Sequence, residues 1–459
     1  METASDELVM LRQTLDRARR SPLYTDRLAG VVLENLDDFH KLPLTQRADL
    51  EKAGLNGTRA LPLEEICHYG ETSGTTGKSN STWLTQSDFA RNAQAIAERH
   101  PDIFAPGHIL LNRFPFMAAP AHLIQLIAQR GPGVSIPAGN INWDVPFPRA
   151  LDLALRTEAR VLAGFPFEPI ILAQLAQARG LDPAKDLALD TFFLGGSPLP
   201  PVLQRRIEKV WNARVVELYG STETMLLGTS CRERSLHLET DQAYCEILKI
   251  DSTDSVDVGE IGRLIVTTLS IEGSPLIRFD TGDRVRRLGP CPCGDARPSL
   301  IVLGREGEEV ELGGRQFYPY EIIEAAAAAA DAMDSSVFFT VVLPDRLLIR
   351  IETQRSDTQL AYQALRDNLG ETKVEIEGTQ PGLLLDTETL SRSPSVYKPV
   401  LISDWRQSKR QLLAIDQGMI EWPSLSFSDA LAWLKRILRR SLRSRQLRRR
   451  IRVAKDSKQ

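Results

Sequence analysis

The stretch YGETSGTTGKS, residues 69–79, crowds glycines and small hydroxyl side chains ahead of a predicted helix. Glycine lets backbone N–H groups approach an anion closely, and Ser and Thr hydroxyls add donors for phosphate oxygens. A Walker A loop needs four residues between its first Gly and the Gly-Lys pair, whereas Gly74 and Gly77 are separated by two and Thr72 occupies the place of the first Gly. The stretch therefore indicates a phosphate-binding loop of another class, and a generic turn stays open on this segment alone.

Outward from this loop, apolar strand-like runs alternate with helical stretches. The strand-like runs are 108–114, 160–165, 191–194 and 215–219, and the helical stretches are 84–99, 166–179 and 200–211. This alternation predicts βαβ units and an α/β domain built on parallel sheets. From about Glu260 the pattern changes to short strands with turns, which predicts an antiparallel or barrel-like subdomain.

A second unit follows. A strongly helical run at 321–330, the strands VFFTVVL and RLLIRIET separated by a Pro344-Asp345 turn, and a helix from Thr358 predict a small α+β domain. Residues 426–453 place leucines on one helical stripe amid arginines and read as a separate basic amphipathic helix. We therefore expect a large domain at 1–304, a small lid domain at 305–405 and a basic helical extension at 406–459.

Length and charge exclude several classes of protein. A chain of 459 residues is too long for a peptide hormone or a bare interaction module. The net charge of −4 combines a local +11 in residues 434–459 with −15 in the other 433 residues, so a nucleic-acid clamp is disfavoured. The charged start lacks a secretory apolar segment, and no apolar run approaches a bilayer span, so we expect a cytoplasmic protein.

The cysteines suggest metal rather than disulfides. Five cysteines in a long chain argue against a disulfide framework. Cys231, His237, Cys291 and Cys293 together supply three thiolates and one imidazole, a set that suits tetrahedral Zn²⁺. The spacing is not that of a standard zinc finger, so free buried thiols stay open on the pattern alone. The two other cysteines, at 67 and 245, are expected to be core thiols.

Four ordered motifs identify a family. TSGTTGK at 72–78 is followed by ELYGSTET at 217–224, RFDTGDR at 278–284 and GREGEEVELGGRQFYPYEI at 304–322. Together they resemble the phosphate loop, YGxTE, RTGD and GRxxD segments of the AMP-forming adenylate-forming superfamily. Within it the chain resembles phenylacetate-CoA ligases, through RSPLY at 20–24, KLPLT at 41–45 and CPCG at 291–294.

The resemblance implies a two-step reaction with ATP and Mg²⁺. A carboxylate attacks the α-phosphate of ATP, pyrophosphate leaves, and a thiol captures the acyl-adenylate. Because charge develops on phosphates, catalysis is expected to depend on positioning, metal and cationic donors rather than on a protein nucleophile. The family's small domain swings about a hinge that follows its Gly-Arg pair, and here Gly307 stands where the family usually has Asp.

The same resemblance assigns roles to residues. Ser73, Thr75, Thr76 and Lys78 would hold the β and γ phosphates, Thr222 would touch the α-phosphate and Glu223 would bind Mg²⁺. Asp283 would accept hydrogen bonds from both ribose hydroxyls. The remaining nucleotide-binding positions are Gly196, Ser197, Glu217, Leu218, Tyr219, Gly220 and Arg305.

The remaining assignments from the resemblance concern the catalytic lysine, the pocket for the acid substrate and the zinc site. Lys398, in SRSPSVYKP, is the candidate for the family's catalytic lysine, although Tyr397 stands where relatives have Gly. The acyl pocket is expected to be lined by Phe116, His122, Phe165, Gly195 and Tyr219, with Phe114 as a further candidate. Some similar proteins carry a structural zinc on a Cys-x5-His element and a later CxC, which favours the zinc reading.

Partners are less determined. The acyl acid is expected to be an aryl or arylacetic acid, and the acceptor CoA or the phosphopantetheine thiol of an acidic carrier protein. The basic extension could steer such a carrier, contact an anionic membrane surface, or remain a solvated end. A homodimer, amide formation with an amine acceptor, and a non-catalytic nucleotide-binding relative stay open as alternatives.

Overall fold

The computed structural model describes residues 4–71, 80–115, 119–131, 133–139, 145–385, 401–404 and 406. Most of the phosphate-loop stretch, Phe116, Lys398 and all of the basic extension except Arg406 lie outside these residues. In the part of the chain that is described, no helix is long and apolar enough to cross a membrane.

The chain begins with short helices and one hairpin. The helices are α1 (Ala4–Ala18), α2 (Pro22–Thr25), α3 (Leu36–His40) and α4 (Arg47–Ala53), and the hairpin pairs β1 (His68–Glu71) with β2 (Ser81–Leu84). Leu11 and Leu15 of α1 are buried with Tyr24 and Phe39, so this helix packs an apolar stripe against the helices that follow it. The antiparallel pairing of Glu71 with Ser81 brings together the two ends of the segment 72–79.

The parallel half of the large sheet follows in βαβ units. Its strands are β3 (Ile109–Asn112), β4 (Val134–Pro137), β5 (Val161–Gly164), β6 (Thr191–Gly195) and β7 (Arg214–Ser221). The helices are α5 (Gln86–Arg99), α6 (Ala119–Arg130), α7 (Phe147–Thr157), α8 (Phe167–Ala178), α9 (Pro183–Asp186) and α10 (Pro201–Trp211). The predicted alternation is confirmed, because near-continuous apolar strands such as β5 and β6 are buried throughout.

The antiparallel strands extend this sheet. They are β8 (Met225–Ser230), β9 (Leu236–Leu238), β10 (Ala243–Leu248), β11 (Ile261–Thr268), β12 (Phe279–Arg287) and β13 (Ser299–Arg305). The order β10-β11-β12-β13-β9-β8-β7-β6-β5-β3-β4 forms one 11-stranded mixed sheet. The expected barrel-like subdomain is therefore a continuation of the parallel strands, because β8 pairs directly with β7 through a tight hairpin.

The small domain has its own sheet. The turn after Arg305 leads to the hairpin β14 (Val310–Leu312) and β15 (Arg315–Phe317) and to α11 (Pro319–Ala332). The strands β16 (Phe338–Val342), β17 (Leu347–Glu352), β18 (Val374–Thr379) and β19 (Ile402–Asp404) form a sheet in the order β18-β17-β16-β19, with α12 (Gln359–Leu369) between β17 and β18. Gly307 has a φ of 82°, a left-handed conformation that glycine adopts without a steric cost.

Candidate functional site

The carboxyl ends of the parallel strands meet at a switch in strand order. The chain runs from β3 outward to β4 and then returns to the other side of β3 as β5. Such switch points leave a crevice at the carboxyl ends, where α/β proteins bind ligands. Here Phe114 and Phe165 follow β3 and β5, and their rings meet edge to face with centroids 5.6 Å apart. The crevice of this sheet therefore has an aromatic wall.

The turn between β7 and β8 presents Glu223. A Cβ on Gly220 would lie 2.0 Å from the carbonyl oxygen of Met225, so only glycine allows the hairpin to close this tightly. The turn is fixed by reciprocal bonds: the Ser221 N–H donates to Thr224 Oγ1, and the Thr224 N–H donates to Ser221 Oγ, both at 3.2 Å. The Glu223 side chain is thereby held in place with only 7% of the residue exposed.

Glu223 is tied to the flank of the predicted phosphate loop. The Asn80 side-chain amide donates to Glu223 Oε1 at 3.2 Å, across 143 positions of sequence. Asn80 directly follows the segment 72–79 and precedes β2. The predicted metal-binding carboxylate therefore lies beside the end of the predicted phosphate loop.

Tyr219, Asp283 and Arg305 form a polar cluster. The Tyr219 hydroxyl donates to Asp283 Oδ2 at 2.5 Å, and Arg305 Nε lies 3.5 Å from Asp283 Oδ1. Burial raises the pKa of Asp283, while Arg305 and the Tyr219 hydroxyl oppose that rise and the charge on Glu223 adds to it. Burial, followed by the Asp283 charge, raises the pKa of Tyr219 well above its usual range, so the phenol remains a donor.

Two glycines at the end of β6 allow close approach of neighbouring groups. A Cβ on Gly195 would lie 2.6 Å from the carbonyl oxygen of Leu218, and one on Gly196 would lie 2.9 Å from Cε1 of Phe165. Gly196 also has a φ of 81°. The Phe165 ring in turn stacks on Phe167 at 5.5 Å. The two glycines thus let Leu218 and Phe165 pack closely against the end of β6.

Glu217 adds an unusual carboxyl group to β7. Burial raises the pKa of this carboxyl to about 8. Its backbone N–H donates to Ser230 Oγ at 2.8 Å, which ties β7 to β8 at this position. A protonated carboxyl can both donate and accept a hydrogen bond, as recognition of a nucleobase edge requires.

His122 is paired with a second histidine. The ring of His122, on α6, meets that of His68, on β1, with centroids 4.6 Å apart, and Phe89 packs against His68 at 5.3 Å. The Nε2 atom of His68 is buried and has no hydrogen-bond partner within the described part of the chain. Burial, followed by His122, lowers the pKa of His68 to about 4, so this ring is neutral at physiological pH.

The four predicted zinc ligands converge. Their ligand atoms all lie within 4.8 Å of one another, with Cys231 Sγ 3.7 Å from Cys291 Sγ and Cys293 Sγ 3.4 Å from His237 Nε2. A tetrahedral Zn²⁺ with metal–sulfur bonds of ~2.3 Å places two sulfurs about 3.8 Å apart, so this spacing fits the ion. His237 reaches the cluster because β9 pairs with both β8 and β13.

The surroundings of the cluster complete a metal-type site. His237 Nδ1 lies 3.2 Å from the Arg297 carbonyl oxygen, which orients the imidazole so that Nε2 faces the three sulfurs. The Asp295 N–H donates to Cys293 Sγ at 3.4 Å. Of the other cysteines, Cys245 is partly buried, whereas Cys67 is exposed at the start of β1 and the expectation of a core thiol there was wrong.

Sequence reasoning overlooked the contacts of three residues. Asn80, His68 and Arg297 belong to no motif, and they act through contacts that only the fold creates. Asn80 had one available signal, since it directly follows the phosphate-loop motif. Of the predicted residues, Thr222, Ser197 and Gly196 are at the same carboxyl edge as Glu223, while Ser73, Thr75, Thr76, Lys78, Phe116 and Lys398 lie outside the described residues.

Comparison with known proteins places the chain in a family. The sequence profile described as AMP-binding enzyme matches residues 12–271, more than half of the chain, so the chain belongs to the AMP-binding enzymes. Within that family it is phenylacetate-CoA ligase-like. The phenylacetate-coenzyme A ligase of Thermus thermophilus is 26% identical over 325 residues, which cover 66% of this chain and 70% of that enzyme.

Solved structures show the same fold. A 2-hydroxyisobutyryl-CoA ligase in its postadenylation state aligns with a TM-score of 0.77 at 20% identity, over 89% of this chain and 91% of that one. The same ligase with 2-HIB-AMP and CoA in its thioesterification state aligns over the same shares with a TM-score of 0.60 at 21% identity. The chain therefore has the fold of an adenylate-forming ligase, with both domains represented.

Proposed function

We propose that this protein is an acid–thiol ligase that activates a carboxylic acid with ATP and transfers the acyl group to CoA. The observation that carries the proposal is that the β7–β8 hairpin carries both Tyr219, which contacts Asp283, and Glu223, which contacts Asn80 at the end of the phosphate-loop segment. These protein groups could bind a ribose, a phosphate and a cation. The membership of the chain in the AMP-binding family supports the same reaction.

Nucleotide binding would begin at Asp283. An ionised carboxylate has acceptor capacity for two hydroxyls, and the Tyr219 O–H fixes Oδ2 so that the group keeps one orientation. Arg305 faces Oδ1 and favours the charged form against the cost of burial. Asp283 would therefore accept the two ribose hydroxyls, while Glu217, Leu218, Gly220, Gly196 and Ser197 would surround the base.

Phosphate and metal binding would fall to the loop and the β7–β8 turn. Ser73, Thr75, Thr76 and Lys78 would donate to the β and γ phosphates, and Thr222 to the α-phosphate. Glu223 would hold Mg²⁺, for which a carboxylate oxygen is a suitable ligand. The ion would neutralise charge on the phosphates when bound. Asn80 keeps the Glu223 carboxylate in position by donating to Oε1.

The acid would be bound on the aromatic side of the crevice. Phe165, Phe116, Gly195 and Tyr219 would pack against an aryl or arylacetic group, with Phe114 extending the wall. His122 would stand at the rim, and the neutral His68 behind it adds no positive charge that would hold the acid carboxylate away from the phosphate. Lys398 would place a fixed positive charge between carboxylate and α-phosphate.

The Cys231–His237–Cys291–Cys293 cluster would hold a structural Zn²⁺. All four ligands are protein groups, which leaves no open coordination position for chemistry. The ion would join the β8–β9 connection to the turn between β12 and β13. Its contribution would therefore be to stability rather than to catalysis.

The direct test is carboxylate-dependent exchange between ATP and pyrophosphate. A panel of aryl, arylacetic, amino and short aliphatic acids is assayed without CoA and then with it. We expect exchange with one acid class and AMP release that depends on CoA. Release with a phosphopantetheinylated carrier or with an amine instead would reassign the acceptor, and no exchange with any acid would overturn the proposal.

A matched pair of variants ties the activity to the site. Glu223→Gln keeps the shape and an acceptor for Asn80 but removes the charge that would hold the metal, so exchange is expected to fall roughly 100-fold or more. Glu64→Gln removes a carboxylate from an exposed position and should leave exchange unchanged. Equal rates in both variants would exclude Glu223 as the metal ligand.

The basic extension is assigned to an anionic partner. If a carrier protein is the acceptor, deletion of residues 426–459 should weaken transfer to it in a salt-sensitive way while leaving ATP–pyrophosphate exchange intact. Transfer rates at two salt concentrations, with and without anionic vesicles, separate a carrier from a membrane surface. No effect in any arm would identify these residues as a solvated end.

A further inference from the structure

The small domain contacts the large one through a polar connection between α10 and α11. The two helices pack against each other, and both belong to one continuous apolar cluster. Two features at their surface are polar: Arg206 on α10 and Glu324 on α11. These residues do not belong to the site described above.

Arg206 bonds to the carboxyl-terminal end of α11 and to the turn that follows it, with all three guanidinium nitrogens. Nε donates to Ser336 Oγ at 2.9 Å, Nη1 to Asp334 Oδ1 at 2.9 Å and to Asp331 Oδ1 at 3.3 Å, and Nη2 to the Asp334 carbonyl oxygen at 3.0 Å. The Arg206 side chain is only 12% exposed, so the bonds are partly shielded from water. A cation at the carboxyl end of a helix is also favoured by the helix dipole.

The backbone around Asp334 is shaped for this contact. Asp334 has a φ of 55°, a left-handed conformation that Asp tolerates better than most residues. This turn presents the carbonyl and the carboxylate of one residue to the same guanidinium. Lysine could not make the same set of bonds, because its ammonium group is a single point and not a planar fork.

Glu324 supplies the second point of attachment. Its Oε2 accepts a hydrogen bond from the Val202 N–H at 3.3 Å, in the first turn of α10, where backbone N–H groups lack partners within the helix. Glu324 of α11 thus contacts the start of α10. Arg206, which contacts the other end of α11, lies one turn further along α10. Two attachment points on one helix fix the rotation of α11 about α10, which one point would not.

Separating the two helices would break these bonds and also expose apolar area of their shared cluster, so the polar connection acts together with apolar packing. The comparison structures show that the fold adopts more than one arrangement. The same ligase aligns with a TM-score of 0.77 in its postadenylation state and 0.60 in its thioesterification state, over equal shares of both chains.

We propose that Arg206 is a positioning residue that holds the small domain in the arrangement of the first half-reaction. By attaching α11 to α10, it sets the balance between the arrangement seen here and the one needed for transfer to a thiol. The inference rests on the proposed two-step function. Loss of the Arg206 contacts is expected to affect adenylation and transfer in different directions.

The test compares Arg206→Gln with Lys209→Gln in the full chain. Lys209 is exposed on the same helix, so its loss removes the same charge without removing the bonds to α11. We expect Arg206→Gln to slow ATP–pyrophosphate exchange by about 10-fold, while transfer of a preformed acyl-adenylate to CoA stays unchanged or rises. The rate of ATP–pyrophosphate exchange in Arg206→Lys should lie between those of Arg206→Gln and Lys209→Gln. Lysine keeps the positive charge but lacks the planar guanidinium group.

A readout without turnover separates failure of this inference from failure of the proposed function. Hydrogen exchange of the peptides spanning 200–206 and 331–337 should speed up in Arg206→Gln and not in Lys209→Gln, whatever the wild-type activity. Equal losses in both half-reactions with a lowered unfolding midpoint would show a merely structural residue. Unchanged rates of both half-reactions, or unchanged hydrogen exchange in both peptides, would overturn the proposal.

Discussion

The hydroxyl of Tyr219 lies 2.5 Å from Oδ2 of Asp283, although 64 positions of sequence separate the two residues. Each belongs to a different motif, one on β7 and one on β12, and these strands are separated in the sheet by β8, β9 and β13. The bond therefore shows that the antiparallel half of the sheet curls round towards β7, because a flat sheet would hold the two strands roughly 19 Å apart. It links the end of the parallel strands, where a nucleotide base would lie, to the carboxylate that would hold the ribose.

Tyr219→Phe removes this donor and is expected to raise the KM for ATP roughly 10-fold, since a hydrogen bond to a charged group contributes about 1.5–3 kcal/mol. The ATP dependence of pyrophosphate exchange measures the effect. Tyr244→Phe is the control, because its hydroxyl contacts His40 at 2.9 Å instead of a site residue. An unchanged KM would show that Asp283 does not depend on Tyr219 for its position.

Cys291→Ser removes one ligand from the predicted zinc cluster. We expect bound zinc to fall from about one ion per chain to near none and the unfolding temperature to drop by at least about 5 °C, because a structural ion contributes its binding energy to folding. Cys67→Ser should leave the bound zinc and the unfolding temperature unchanged, since Cys67 lies outside the cluster. Purified wild-type protein without zinc that cannot be loaded with zinc would contradict the assignment.

The low pKa of the buried His100 predicts that the protein loses stability in acid. Burial, followed by the charge on Arg214, lowers the pKa of His100 to about 4, below the value of about 6.5 in an unfolded chain. Between these values the unfolded chain takes up a proton that the folded chain does not, so the free energy of unfolding falls as the pH falls. The full loss is about 3 kcal/mol by pH 4.

Urea unfolding at several pH values between 7.5 and 4.5 measures this slope. His100→Gln should flatten it, whereas His40→Gln, at an exposed position, should not. At pH 7.5 the first variant should also lose the bond between His100 Nε2 and Thr229 Oγ1, which is 2.9 Å long. If the slope is the same in all three proteins, His100 does not cause it.

The ion pair between Arg113 and Glu168 lies at the switch point and is fully buried. Arg113 Nε lies 3.0 Å from Glu168 Oε2, and neither side chain is exposed. Arg113→Met leaves a buried carboxylate without its partner and should reduce the free energy of unfolding by about 3 kcal/mol or more. Adding Glu168→Met should recover much of that loss, because two apolar side chains replace the pair.

Chemical denaturation of the single and double variants completes the cycle. The exposed pair of Arg179 and Asp152, with side chains 37% and 52% exposed, serves as the control. Breaking it should cost less than about 1 kcal/mol. A double variant at 113 and 168 as unstable as Arg113→Met would show that the arginine stabilises the fold by other contacts, such as its bond to the Val145 carbonyl oxygen.

Local pattern was sufficient for most secondary structure. The runs at 160–165 and 191–194 were predicted as strands and form β5 and β6, which are buried along their whole length, as is typical of strands in a sheet covered on both faces. The helix predicted at 84–99 begins at Gln86 because Thr85 and Asp88 form a capping box. The antiparallel strands were predicted as strands, but their continuity with the parallel sheet was not.

The motifs also identified residues of the candidate site, but they did not identify the residues that contact them. A motif names residues that are close in sequence, so Tyr219, Glu223 and Asp283 were each found. The partners Asn80 and His68 were not, because their contacts join distant segments and leave no local pattern. The same is true of Arg206, whose four bonds all reach the small domain.

The sequence by itself determined the family, the strand and helix order and the chemical identity of the ligands, since these depend on residue type and spacing along the chain. Only the tertiary structure decided which groups meet. Pairing of β9 with β8 and β13 brings His237 to three cysteines, and the packing of α10 on α11 brings Arg206 to Asp334. Such meetings depend on strand register and helix packing, which are properties of the whole fold and not of any segment.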